Sequence, residues 1–159
     1  KLMIIDERLE FADAVSVAAA AGTANIGDII DMSVARDIGM GQPVYLVIGV
    51  DTEIITGGAA GTLKFLLVSD ATSTIATDGS ATQHFDSGTF VTDGTDANGA
   101  KMKAGQFPVV VALPMEGKEY ERFLAVQAVT ASTTTTAGAI NAFLTLDPHG
   151  WVAYADGSN

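Results

Sequence analysis

Chemistry in this chain has to come from a short stock of side chains, beginning with two histidines, His84 and His149. His84 stands beside Phe85 and Asp86 in a polar stretch, and His149 lies in a Pro-His-Gly turn. Imidazoles joined by carboxylates are a common metal set, but the ligand spacing of known sites is missing here. Both read as surface histidines, and no metal is expected. Asp93, Asp96 and Asn98 before Gly99 resemble a calcium loop. Aligning Gly99 with the invariant glycine puts Gly94 where the first aspartate must stand and Gly105 where a bidentate glutamate is required. The EF-hand reading fails; a looser calcium site is the alternative to a solvated turn.

Other grammars fail in the same way. Residues 57–64 lack the Gly-Lys-Ser/Thr ending that brings a lysine to phosphate, and Gly39-Met40-Gly41 has no third glycine at dinucleotide spacing. No Gly-x-Ser-x-Gly elbow presents a serine nucleophile. The carboxylate pairs Asp6-Glu7, Asp51 with Glu53, and Glu119 with Glu121 (the last on one strand face) are what an acidic surface carries anyway. The expectation is therefore not an enzyme, with no catalytic residues and no cofactor. Trp151 and Tyr154 have the chemistry of a sugar-stacking platform, although a tail docking its aromatics on the domain or a neighbour is the preferred reading. Leu2-Met3-Ile4-Ile5 reads as an edge strand of its own domain or as an arm added to a partner's sheet.

The elements that would position these residues are strands. In residues 139–147, Ile140, Ala142, Leu144 and Leu146 fall on one face, with Asn141, Thr145 and Asp147 on the other. Period-two alternation of this kind predicts a half-buried strand. Leu9, Phe11, Val15, Val17 and Ala19 keep apolar residues at odd positions, broken by Asp13. A strand is favoured there over a helix across residues 6–14. Residues 25–32 form a short second strand. Residues 44–50 are apolar on both faces, as in a central strand covered on both sides by a loop or a neighbouring subunit. Alternation resumes at Leu63, Phe65 and Leu67, at Phe107 to Leu113, where Pro108 marks an edge or bulge, and at residues 120–130, where Gln127 is the only polar interior residue. The stretch 71–103 is a Gly/Thr/Asp-rich long loop region with short strands at 82–86 and 89–92. Short Gly-rich turns joining about eight strands predict an all-β jelly-roll sandwich. It is read as a single domain over residues 1–159, with an N-terminal arm at 1–8 and a C-terminal tail at 148–159.

The 159 residues carry no cysteine, so neither a disulfide framework nor a thiolate site is available. Eight Lys and Arg oppose 19 Asp and Glu, a formal charge of −11. Such a surface repels phosphate backbones, which excludes nucleic acid as a natural partner. No apolar run approaches the roughly 18 to 20 residues of a membrane span. The acidic start around Asp6, Glu7 and Glu10 does not look like a signal peptide.

The order of segments resembles a known family. Asp6-Glu7-Arg8-Leu9, then Ala35-Arg36-Asp37-Ile38-Gly39-x-Gly41-x-Pro43-Val44-Tyr45-Leu46-Val47, is similar to the Bbp16-type capsid cement (decoration) proteins of tailed bacteriophages. Leu63 to Asp70, Glu121-Arg122-Phe123-Leu124, and Ala137-Gly138-Ala139 through Leu144-Thr145-Leu146-Asp147 follow the same layout. The resemblance runs from about Leu2 to Asp147 and is weakest in residues 71–103 and after Asp147. It implies a jelly-roll structural protein on the outer surface of the phage capsid, made in the host cytoplasm. There it would bridge neighbouring major capsid proteins as a homodimer or homotrimer. Leu2, Met3, Ile4, Ile5, Trp151 and Tyr154, apolar residues at ends that are normally polar, are the expected partner interface. The alternative is a carbohydrate- or receptor-binding β-sandwich of a virion.

Overall fold

Strands form where the alternation and the β-branched residues coincide. The computed structural model describes residues 7–35, 41–56, 61–93, 99–114 and 117–148. Among these residues a 3-10 turn, Glu7–Leu9, leads into β1 (Glu10–Ser16), β2 (Gly22–Asp31), β3 (Tyr45–Thr56) and β4 (Thr62–Asp70). Then come β5 (Thr82–Asp86), β6 (Phe90–Val91), a 3-10 turn at Gly99–Met102, β7 (Val109–Ala112), β8 (Phe123–Ala131) and β9 (Thr135–Thr145).

Four antiparallel pairings define the topology: β1 with β9, β2 with β8, β3 with β7, and β4 with β5. The first half of the chain thus makes one long ribbon with the second half read backwards. The ribbon rolls up, so that β9 also pairs β3 and β8 also pairs β4. The resulting sheets run β1-β9-β3-β7 and β2-β8-β4-β5, with β6 added beside the start of β4. This is the eight-strand jelly roll, with β6 as a ninth, two-residue strand.

The core lies between the sheets. Leu46, Ile48 and Val50 of β3 and Ile140, Ala142 and Leu144 of β9 face Leu63, Phe65 and Leu67 of β4 and Leu124, Val126 and Ala128 of β8. Each large side chain buried there stabilises the fold by about 1.5–3 kcal/mol. A second apolar cluster, Leu66, Val68, Ala125 and Ile75, lies on the opposite face of the five-stranded sheet, under the segment that follows β4. Gln127 holds that segment in place: its Nε2 donates to Asn25 Oδ1 and to the Ala76 carbonyl, both at 2.9 Å. Asn25 Nδ2 in turn donates to the Ile75 carbonyl at 3.0 Å. A buried polar residue of β8 is therefore the anchor of a covering loop.

The two-sided apolar strand at residues 44–50 is explained in part within the chain. Leu46, Ile48 and Val50 face the core, and on the other face the Phe107 ring lies against Gly49. A Cβ at Gly49 would sit 2.6 Å from Phe107 Cε1, so glycine makes room for the ring. Pro108 does precede an edge strand, β7.

Several boundaries differ from expectation. The odd-position alternation at the N-terminus is broken by register shifts in β1, and Ala12 is buried beside Phe11. Ala14 takes a φ of +49°, and its N–H donates to Asn141 Oδ1 at 2.6 Å. The strand thus bulges around Asp13, which stays exposed. β2 begins at Gly22, not at residue 25, and β3 continues to Thr56. β8 begins at Phe123, leaving Tyr120 and Glu121 in the connection before it. Glu119 and Glu121 consequently share no strand face. Leu146 lies past the end of β9 and is 54% exposed, while Phe143, on the supposedly polar face, is buried. The region 71–103 carries β5 and β6 at the two short strands expected there, and a 3-10 turn at Gly99–Met102 besides.

Candidate functional site

The chemistry-bearing residues converge at one end of the five-stranded sheet. β5 pairs β4 with a register shift between Leu67 and Val68, which leaves His84 as the extra residue. The bulge lets His84 and Phe85 both turn inward. Phe85 packs against the inter-sheet core, and the His84 ring stacks on Tyr120, with centroids 3.9 Å apart and an interplanar angle of 11°. His84 Nε2 lies 2.7 Å from Ser69 Oγ, and Ser69 Oγ accepts the Glu121 N–H at 3.0 Å. The Glu121 carboxylate accepts from Thr82 Oγ1 at 2.6 Å, and Tyr120 OH donates to the Pro114 carbonyl at 2.9 Å.

Electrostatics at this cluster follow burial. Desolvation pushes the His84 imidazole below the ordinary histidine range; the Glu121 carboxylate opposes this and the Lys118 ammonium adds to it. Burial pushes the Tyr120 phenol up to about 12. A serine beside a histidine invites comparison with a nucleophile and its base. Ser69, however, is 0% exposed, so its Oγ is held away from any incoming substrate. What the arrangement does is tie β4, β5 and the approach to β8 together.

A second feature is an acidic cleft of about 380 Å³ between the first 3-10 turn, β1 and β2, lined by Glu7, Arg8, Glu10, Asp28, Ile29, Ile30 and Asp31. Burial raises the Glu10 pKa, and the carboxylates of Asp13, Glu7 and Asp28 raise it further. Asp31 is held at about 2, first by its hydrogen bond from Arg122 and then by the Ser33 N–H. The Arg122 fork meets both carboxylate oxygens of Asp31 at 2.8 Å. Sequence spacing gave no sign of this cleft, because it exists only where β1 and β2 meet at the sandwich corner. Among the described residues no group of three or more His, Cys, Asp or Glu is arranged to hold a metal.

The expected interface residues Leu2, Met3, Ile4, Ile5, Trp151 and Tyr154 lie outside the described residues, as do His149, Asp96 and Asn98. The chain around them is informative nonetheless. Glu10 pairs Phe143, so the described chain enters and leaves at the same end of the β1–β9 ribbon. Leu9 and Leu146, two of the large apolar side chains exposed among the described residues, flank that pairing. Of the other candidate carboxylates, Glu53 is paired with Lys103 at 2.7 Å and Asp51 is exposed.

The fold and these features define a class: a jelly-roll protein whose buried polar groups fasten its own loops. The Bbp16 family model matches residues 11–144, from within β1 almost to the end of β9. The chain belongs to the Bbp16 family, which is phage-associated. No curated protein matches the sequence. Among the described residues no helix is long and apolar enough to cross a membrane.

Proposed function

We propose that this protein is a capsid cement protein that binds the outer surface of a phage head and bridges neighbouring major capsid proteins. The observation that carries the reading is the Bbp16 match across the rolled ribbon of the sandwich. Three physical features support it. A jelly roll is a rigid spacer with most of its strands paired. A formal charge of −11 suits the outer face of a head better than its DNA-lined interior. Buried Ser69 and half-buried His84 form a fastening, which fits a structural role without catalysis.

The contacts need not be individually strong. Many copies engaging one fixed lattice raise the effective concentration of each contact, and a homodimer or homotrimer multiplies this again. Anchors come from the terminal segments, because both leave from one corner beside Leu9 and Leu146. No nucleic acid and no membrane takes part.

The test is the copy number of this chain in purified virions relative to the major capsid protein, together with release of DNA on heating of particles that lack it. A copy number of the same order as the shell subunit, and earlier DNA release without the protein, are the expected results. A handful of copies per particle points instead to a glycan- or receptor-binding adhesin, and absence from the virion overturns the reading.

A further inference from the structure

The His84 cluster has a direction built into it. Ser69 Oγ already accepts the Glu121 N–H, and its own hydroxyl proton needs an acceptor, because the side chain is fully buried. Among the described residues the only acceptor placed for it is His84 Nε2, at 2.7 Å. The tautomer that gives the Ser69 hydroxyl its acceptor is therefore the one with its proton on Nδ1. The chain of donation then runs from Glu121 N–H to Ser69 Oγ, and from Ser69 O–H to His84 Nε2.

From this geometry we propose that Ser69, His84 and Tyr120 form an acid-released latch, which holds the connection before β8 against β4 and β5 while His84 is neutral and lets it go when His84 is protonated. Protonation turns Nε2 from acceptor to donor. Ser69 Oγ then faces two donors, the Glu121 N–H and the imidazolium, and its own proton is left unpaired in a buried site. The half-buried cation also loses part of its hydration, a cost that the Tyr120 π-face offsets only in part. The charged groups facing His84 are Glu121 and Lys118, from the connection before β8. On β5 itself the Asp86 carboxylate is paired with Lys64 at 2.8 Å, and at the end of β4 Asp70 is bonded to Thr72 and Ala76. Glu121 offers the imidazolium some relief, but its carboxylate already accepts from Thr82. Residues 117–122 are the part released. Beyond the latch they are held by Thr82 Oγ1 to the Glu121 carboxylate, by Tyr120 OH to the Pro114 carbonyl, by the Met32 N–H to the Arg122 carbonyl and by the Arg122–Asp31 pair, so release is a local loosening and the sandwich stays folded.

Linkage makes the idea quantitative. A group that binds protons more weakly in the closed state than in the open state favours opening as pH falls. The factor by which opening of residues 117–122 grows from neutral pH to the acid plateau must equal the ratio of the two acid dissociation constants of His84, closed over open. The experiment measures both sides on the full chain. The His84 ring proton is followed by NMR from pH 7.5 to 4.5, with His149→Gln used to assign the two histidines. Amide exchange of residues 117–122, corrected for the intrinsic pH dependence, is measured over the same range. The expected result is a midpoint below the ordinary histidine value of about 6.5, with an exchange factor that matches the ratio. In His84→Gln the pH dependence in this window should vanish. A midpoint at or above the ordinary value overturns the latch, as does flat protection of residues 117–122 through the midpoint. The wild-type comparison alone decides the matter if His84→Gln fails to fold.

Discussion

Gly27 is the position where one added carbon should tell most about this fold. It lies in the irregular stretch of β2 between Ile26 and Ile30, with a φ of +70°. A Cβ built there would collide with the Phe11 carbonyl oxygen and sit 3.2 Å from the Ala12 Cα. Both contacts are backbone, on β1 of the other sheet, so no side chain can swing aside. Gly27→Ala therefore carries two costs. Left-handed backbone in a residue with a side chain costs about 1–2 kcal/mol. Forcing the two sheets apart at their corner resembles overpacking a core, about 1–3 kcal/mol or more. The sum, about 2–5 kcal/mol, is a large share of the 5–15 kcal/mol that typically holds a domain. Gly79→Ala is the control, since its φ is +90° and nothing lies within 4 Å of the added carbon. It should show the backbone cost alone. Urea unfolding at pH 7, with a slope of about 2 kcal/mol per molar, should lower the midpoint by roughly 1–2.5 M for Gly27→Ala and by less than about 1 M for Gly79→Ala. Equal shifts for the two variants would refute the argument that the sheets touch at this corner.

Three further outcomes are expected. Gln127→Leu leaves Asn25 Oδ1 and the Ala76 carbonyl without the donor they share, at about 2–3 kcal/mol, and thermal melting should fall by roughly 4–12 °C. The same variant should raise amide exchange in residues 71–81 more than in β8. Arg122→Gln should return the Asp31 carboxyl from about 2 toward the ordinary value near 3.9, read by carboxyl-carbon NMR. Because the native carboxyl is the depressed one, its stabilisation is present above the unfolded pKa and is lost as pH falls through about 2. The variant should therefore show a flatter stability curve between pH 4 and pH 2 than the wild type. Removing residues 148–159 should weaken attachment to the capsid in a co-sedimentation assay without lowering the melting temperature of the sandwich by more than a few degrees; undiminished attachment would take the tail off the list of anchors.

How much was legible beforehand follows from the distance over which each feature is decided. Alternation at residues 140–145 and the Thr82–Asp86 strand were readable because period two is a local property. The expected jelly roll drew on strand count and on the resemblance, not on any pairing visible in the sequence. Pairings such as Glu10 with Phe143 leave no local trace. The bulge in β1 was unreadable for the same reason: the partner that fixes Ala14 is Asn141, 127 residues away. Gln127 stood out as polar in an apolar run, but its acceptors come from β2 and from the folded loop after β4. The His84 cluster was missed because its members come from β4, β5 and the connection before β8, and a bulge turns the ring inward. Nothing in the spacing of Ser69, His84 and Tyr120 announces a stacked, hydrogen-bonded set.

The rolled ribbon also governs when the molecule can be finished. Among the described strands β1 is made first, and its one sheet partner there, β9, is made last. Until β9 arrives, β1 has no ladder and β3 lacks the neighbour that lies between it and β1. Topologies dominated by such distant pairings fold in milliseconds to seconds, slowly for a domain of this size. A chain cut short before Thr135 would keep two open sheet edges, which invite aggregation. The topology thereby carries its own quality check at no added cost in sequence: a truncated copy cannot close the four-stranded sheet, so only chains synthesised through β9 reach the folded sandwich.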